Sequence, residues 1–414
     1  MLETARHSYW RARQAFGEWR GALFGASGAF RNVVLSDQFR TPGAVTPVAG
    51  ETAPRAAAAV RWLCAAQDAT TDGGVSYGYF PASSARGWDI SYPETTGYIM
   101  TSLVRYGRRA GRPDLIERAR RMGLWEADIQ MESGAVQGGK VTPRDRQTPA
   151  VFNTGMVLDG LVTVLEDRPD TTLARAAERA ASFLAGDLND NGLFVTNGAF
   201  VSRDAIKIYN VLCAWALHRF GRMAGERRWR DAAIRAVEGA LAFQNARGWF
   251  AENCLTDPVH PLTHTIGYTA QGVLEVGAEA GRDDLVAAAE ACLKGAIGGI
   301  QPNGFLPGRF DDQWRPAARW SCLTGSAQIA VVAYRLAALR GVETYAAAAD
   351  RLVGFLKAVQ RTGTGDAGID GALAGAYPIM GDYMTGGYPN WATKYLLDAL
   401  MAEAERRGVR LAAA

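Results

Sequence analysis

The sequence predicts an all-α fold, a closed (α/α)6 toroid, on three observations. Two kinds of helical segment alternate along the chain. The pair recurs six times at nearly one period. Neither end carries the polar capping repeat that an open array of hairpins requires, so repeat 6 is expected to cover repeat 1.

The elements follow in order. Residues 41–54, TPGAVTPVAGETAP, are rich in Pro, Gly and Ala and read as a linker. Residues 1–54 are therefore an N-terminal arm and linker, and 55–414 form one toroid domain. This replaces the two or three domains that a length of 414 residues suggests. The first kind of segment is rich in Ala and Arg and occupies 55–66, 113–124, 172–184, 230–243, 285–296 and 343–358. In the third copy Leu173, Ala176, Ala177, Ala180, Phe183 and Leu184 fall on one helical face. The second kind opens at SYPETTGYIM, TPAVFNTGMVL, KIYNVLCAWAL, PLTHTIGYTAQGVL, WSCLTGSAQIAV and GYPNWATKYLL. Its markers Glu94, Asn153, Asn210, His264, Cys322 and Asn390 are separated by 59, 57, 54, 58 and 68 residues. These second helices are the more apolar set (Val157, Leu158, Leu161 and Leu165 in repeat 2) and are expected to form the inner ring.

Composition excludes several functions. A net charge of +3 leaves no electrostatic footprint for nucleic acid. The five cysteines (64, 213, 254, 292, 322) form no metal-ligand or disulfide pattern and read as buried thiols. Four histidines leave little room for a multi-histidine metal site, and no metal or other cofactor is expected. The first twenty residues lack the apolar run of a signal peptide, and no stretch is long enough to span a bilayer. The expected location is cytoplasmic.

The loops after the first helices share a phrase: QDATTDGGVSYGYF, LNDNGLF, QNARGWF and IQPNGFLPGRF. A Gln or Asn, a Gly and an aromatic resemble the QW repeat of terpenoid-cyclase and prenyltransferase toroids. The acid motif of the squalene-type cyclases and the zinc ligands of the prenyltransferases are absent from the sequence. The ring also resembles uronate-processing toroids: glucuronyl C-5 epimerases, polysaccharide lyases and six-hairpin glycosidases. The phrases YPETTGY, FNTG, LTHTI, SCLTG and YPNWA resemble toroid proteins of bacterial exopolysaccharide synthesis. N-acylglucosamine epimerases share the fold and use a pair of inner-helix histidines; here only His264 stands in such a place.

The six inner-helix openings should line one funnel. Helix N-termini there offer free N–H groups and partial positive charge, which suits an anionic or polyhydroxylated ligand. Glu94 is a candidate general acid, although a glutamate in a first turn is also good capping chemistry. His264 is a candidate base, with a core histidine as the bland alternative. Tyr209 can supply the complementary acid or base. Asn153, Asn210 and Asn390 can hold hydroxyls or a carboxylate, or serve as caps alone. Tyr92, Trp249, Tyr388 and Trp391 are candidate sugar platforms or core aromatics. Arg309 can clamp a uronate, and Asp311 or Asp312 can face Glu94 as the second carboxylate of a hydrolase; a solvated charged loop explains the same residues.

The leading expectation is an enzyme acting on a uronic-acid-containing oligo- or polysaccharide. It abstracts the proton alpha to the carboxylate, with His264 or Tyr209 as base, and is an epimerase or a lyase. A glycoside hydrolase using Glu94 with Asp311 or Asp312 is the alternative. A non-catalytic glycan-binding or assembly protein is the third reading, and a terpenoid cyclase a distant fourth.

Overall fold

The computed structural model describes residues 17–21, 23, 26–82, 87–200 and 205–411. After a short helix α1 (Gly28–Phe39), the chain forms six helical hairpins. The outer members are α2 (Thr52–Asp68), α4 (Pro113–Ile129), α6 (Thr171–Gly186), α8 (Arg227–Leu241), α10 (Asp283–Ile297) and α12 (Glu343–Val359). The inner members are α3 (Pro93–Ala110), α5 (Val151–Asp167), α7 (Leu212–Met223), α9 (Thr263–Ala280), α11 (Leu323–Arg340) and α13 (Asn390–Arg407). The fold is the (α/α)6 toroid. The linker reading meets a different local structure. Helix α2 begins at Thr52, inside that stretch, and Asn303 Nδ2 donates to the Pro42 and Val45 carbonyls at 2.8 and 3.2 Å.

Patterning assigns the two rings. Outer helices bury one stripe: Leu173, Ala176, Ala177, Ala180, Ala181 and Leu184 on α6. Inner helices are enclosed on all sides, and every residue from Val151 to Leu165 on α5 is buried. Small residues let inner helices touch at the mouth. A Cβ on Gly97 of α3 would lie 2.6 Å from Val157 of α5, and one on Gly155 would lie 2.4 Å from the Cys213 sulfur of α7.

The Gln-Gly phrase has a physical meaning. Gln130 Nε2 donates to the carbonyl of Gly134 in its own loop (2.8 Å) and of Ala176 on the next outer helix (3.0 Å). Gln244 does the same to Gly248 (3.2 Å) and Ala288 (2.9 Å). Gln67 reaches Gly73 and Arg118, both at 3.4 Å. Gln360 reaches Gly371 (2.9 Å) and Arg55 of α2 (3.2 Å), which joins the last repeat to the first. The loop glycines sit directly on the neighbouring helix: Gly371 has φ +97°, and a Cβ there would meet the Ala58 carbonyl at 2.2 Å.

Short strands stitch the mouth. β1 (Gly78–Phe80) pairs antiparallel with β2 (Gly87–Trp88) and, across the closure, with β7 (Tyr388–Pro389). β3 (Val136–Gln137) pairs with β4 (Pro149–Ala150), and β5 (Ser321–Cys322) with β6 (Ala376–Tyr377). Thr52 donates to Glu403 at 2.7 Å and Lys357 pairs with Glu403 at 2.5 Å, a buried polar knot between repeats 6 and 1.

Replacing Gln360 by Leu removes both amide bonds at the closure and takes the donor from the buried Gly371 carbonyl. The expected loss is about 1–3 kcal/mol in denaturant unfolding. A loss no larger than for the exposed Gln313→Leu would contradict the clamp.

Candidate active site

The inner-helix N-termini converge on one mouth. A cavity of about 540 Å³ opens there, lined by Phe80, Leu262, Arg309, Asp382, Tyr383 and Met384, among others. Tyr383 links it to an aromatic floor. The Tyr383 hydroxyl accepts from Trp391 Nε1 at 2.9 Å, and Trp391 meets Tyr77 edge-on at 4.9 Å between ring centroids. Tyr77 meets Tyr92 at 5.0 Å, and the Tyr92 hydroxyl donates to Glu94 Oε2 at 3.0 Å.

Glu94 lies in the first turn of α3, held there by Pro93 at the helix start. It is half-buried. Burial lifts its carboxyl to about 7, against the opposing bond from Tyr92. No cation contributes to that value. Tyr92, Tyr98, Tyr268, Tyr383 and Tyr395 are all raised by burial, with the Glu94 charge a further cause in each. Tyr77 and Tyr209 are raised for the same two reasons. Glu94 thus receives one hydroxyl, that of Tyr92, and its charge is felt by further buried tyrosines that stay neutral.

His264 opens α9. Its Nδ1 bonds the Gln328 side-chain amide at 2.9 Å. Burial pulls the ring down to about 4, against that bond, and the imidazole is neutral at physiological pH. It packs on Tyr268 at 4.4 Å and Tyr383 at 5.6 Å, two of the tyrosines that sense Glu94.

The structure gathers Glu94, Tyr92, Trp391, Tyr209 and His264. Tyr209 packs on Phe152 at 5.3 Å and stands 6.5 Å from Tyr268. Arg309 lines the mouth, with Nη1 donating to the His260 carbonyl at 2.6 Å.

Other candidates are placed differently. Asn153, Asn210 and Asn390 spend their amide hydrogens on structure. They donate to the Gln137 carbonyl (2.9 Å), to Asn197 Oδ1 (2.8 Å), and to Ser76 O (2.6 Å) and Thr95 Oγ1 (2.7 Å). Each ties a helix start to a loop, as the capping alternative expects. Tyr388 is sealed beneath Phe30 of α1, with no exposed surface. Trp249 packs into Trp314 at 5.1 Å, and Trp314 lies against Gly295 of the outer helix α10. The same loop carries Asp311 and Asp312. Asp311 folds back on the Arg315 amide (2.9 Å) and guanidinium (2.7 Å), and Asp312 is exposed. Neither lines the mouth cavity, and Trp314 Nε1 of their loop donates to the Arg247 carbonyl at 2.9 Å.

Sequence reasoning missed Tyr98, Tyr268, Tyr383, Tyr395 and Gln328. One signal was available: Tyr98 and Tyr268 follow Glu94 and His264 by four residues, one helical turn deeper on the same face. Among the described residues no group of three His, Cys, Asp or Glu side chains is placed to hold a metal ion. No described helix is long and apolar enough to cross a membrane.

No family model and no curated protein matches the chain. Solved structures do. An unsaturated glucuronyl hydrolase specific for heparin is similar over 87% of this chain and 99% of its own, with TM-score 0.70 and 15% identity. A GH76 α-mannanase from Bacteroides thetaiotaomicron is similar over 87% and 97%, with TM-score 0.64 and 12% identity. A polysaccharide lyase is similar over 87% and 99%, with TM-score 0.61 and 10% identity. The class is therefore the six-hairpin toroid, and the resemblance to glycan-processing toroids holds at the level of the fold.

Glu94 holds its proton more tightly in the folded chain than in the unfolded one, whose value is near 4.5. Folding stability is therefore lost as pH rises from about 4.5 through about 7. Glu94→Gln escapes that loss. Its melting temperature should match the parent at pH 4 and exceed it at pH 8. The same difference at both pH values would contradict the raised carboxyl.

Proposed function

We propose that the protein is a carbohydrate-active enzyme acting on a uronic-acid-containing oligo- or polysaccharide. It transfers a proton at the carbon alpha to the uronate carboxylate, as an epimerase or a lyase. The observation that carries this is the lone Glu94 carboxyl, lifted to about 7 among neutral tyrosines. A group titrating there is suited to take or give a carbon-bound proton near neutral pH. The assignment of the base moves accordingly. His264 is made weakly basic by burial, and the Tyr209 hydroxyl is held protonated. Glu94 is the base, Tyr209 the neutral donor, and His264 a wall of the pocket.

Arg309 at the mouth supplies the charge that a uronate carboxylate needs. Tyr92 and Trp391 supply aromatic edges and faces for the sugar ring. The base removes the alpha proton and the electron pair passes into the carboxylate as an enolate. Return of a proton to the opposite face inverts the centre; departure of the 4-linked sugar leaves a double bond. We place residues 55–414 as the single catalytic domain, with 1–54 as its arm, working in exopolysaccharide metabolism in the cytoplasm.

One observation favours a second reading. The similar hydrolase is an unsaturated glucuronyl hydrolase. An unsaturated glucuronyl group needs a proton delivered to its double bond, and a single carboxyl with a value near 7 can deliver it. A two-carboxylate glycosidase is not favoured, since Asp311 is committed to Arg315 and neither Asp311 nor Asp312 joins Arg309 in lining the mouth cavity.

Incubation with uronate glycans and with unsaturated uronyl oligosaccharides in deuterated water separates these outcomes. Deuterium at C-5 without cleavage means epimerase, new ultraviolet absorbance means lyase, and lost absorbance means the second reading. Glu94→Gln should lower kcat by about 10²–10⁴-fold. As base, Glu94 gives a rate that rises with pH to a limb near 7; as acid, one that falls beyond it. Binding without turnover of any of these glycans would overturn the enzyme reading.

A further inference from the structure

The toroid has a second mouth. The upper mouth, beside Glu94, lies where the inner helices begin; the lower mouth lies where they end. A cavity of about 580 Å³ opens at the lower one, within the size of ordinary small-molecule sites. It shares no lining residue with the upper cavity. Its walls come largely from α3, α7, α9, α11 and α13, and five arginines stand in them: Arg105, Arg109, Arg219, Arg335 and Arg406. Helix C-termini favour cations, which suits arginines gathered at this end.

Four of the five are spent. Arg109 pairs with Glu405, and Arg406 with Glu343. Arg335 pairs with Glu275 at 3.1 Å, and Arg219 with Glu166 at 2.8 Å and with Asp159. The other carboxylates of the cavity are committed as well. Glu279 accepts from the Trp215 indole at 2.9 Å and pairs with Arg222 at 3.1 Å; Asp398 pairs with Lys394 at 2.8 Å. Arg105 is left over. Among the described residues it makes no hydrogen bond and no ion pair, and its Cζ stands 6.0 Å from the Trp215 ring centroid. Gln271 is left over too. It lines the same cavity, is only 8% exposed, and its Oε1 is buried without a hydrogen-bond partner. A buried acceptor of this kind calls for a donor.

The two leftovers ask for different groups. A guanidinium offers only donors, and a carboxylate fits its fork with two bonds. An amide oxygen accepts from a hydroxyl. One unpaired cation among paired carboxylates matches a single negative charge; a phosphate would bring more charge beside Glu279 and Asp398. We propose that the lower mouth is a second, non-catalytic binding site for a sugar acid, whose carboxylate docks on Arg105 and one of whose hydroxyls reaches Gln271. The site is non-catalytic because every carboxylate lining it is already paired and none is free to act as a base. The inference does not depend on the chemistry at Glu94.

Two indoles report on the two mouths separately. Trp215 lines the lower cavity with its N–H on Glu279, and Trp391 has its N–H on Tyr383 of the upper cavity. Their indole N–H resonances, assigned with Trp215→Phe and Trp391→Phe, are followed in the whole chain as D-glucuronate is added. The Trp215 resonance should shift and saturate. Methyl glucoside, which lacks the carboxylate, should not move it. Arg105→Gln, a change at an exposed residue, should raise the Kd read at Trp215 at least about tenfold, and Gln271→Leu should raise it several-fold. Inorganic phosphate should compete at least about tenfold more weakly than glucuronate. A Trp215 resonance that stays still overturns the second site, whatever Trp391 does. An Arg105→Gln variant that binds like the parent overturns it as well, and phosphate competing as well as glucuronate overturns the sugar-acid assignment. A response at Trp215 with none at Trp391 defeats the uronate reading of the upper mouth and supports this one.

Discussion

Closure of the ring by buried amide clamps is the interaction on which the rest depends. Gln67, Gln130, Gln244 and Gln360 each bind one carbonyl of their own loop and one of the next outer helix. The last of these ties repeat 6 to repeat 1. A hairpin alone cannot bury its inner face, so the six become stable together. The pocket is a product of that closure. Tyr77 and Tyr92 come from repeat 1, Phe152 from repeat 2, Tyr209 from repeat 3, His264 and Tyr268 from repeat 4, and Tyr383 and Trp391 from repeat 6. An open array would leave Glu94 on one edge, in water, with an ordinary carboxyl.

Two opposing influences meet at Glu94. A helix N-terminus and a tyrosine bond both favour the carboxylate. Burial among aromatic rings disfavours it, and burial wins. The surrounding protein supplies no cation to reverse this. At Glu275, also buried, Arg335 opposes the burial; at Asp159, Arg219 reverses it and the value falls. Arginines oppose burial at Glu275 and Asp159, whereas Glu94 at the upper mouth, like the buried Glu126 of the outer helix α4, has no cation beside it.

The fold was legible in the sequence because a repeat writes each structural requirement several times. The outer segment read at 113–124 is α4 (Pro113–Ile129), and that at 343–358 is α12 (Glu343–Val359). Glu94 stood out because it is the one acidic residue at a marker position. The asparagine markers also serve structure: Asn153 donates to the loop before its own helix, and Asn390 donates across the closure to Ser76 in the loop of repeat 1. Asp311 and Trp249 misled because a loop's sequence does not say which side of the ring it leans on. Tyr383 was illegible, since it enters the site from a long loop through its bond with Trp391. Tyr98 and Tyr268 were legible in principle, one turn below the two residues already singled out.

The central claim is that Glu94 is a lone acid–base group tuned toward neutrality by closure of the toroid. The most direct measurement is a carbon-13 NMR titration of the glutamate side-chain carboxyls, with Glu94→Gln to assign the resonance. The account predicts a midpoint near 7 for Glu94. A midpoint near 4.5, the ordinary value for glutamate, would contradict it.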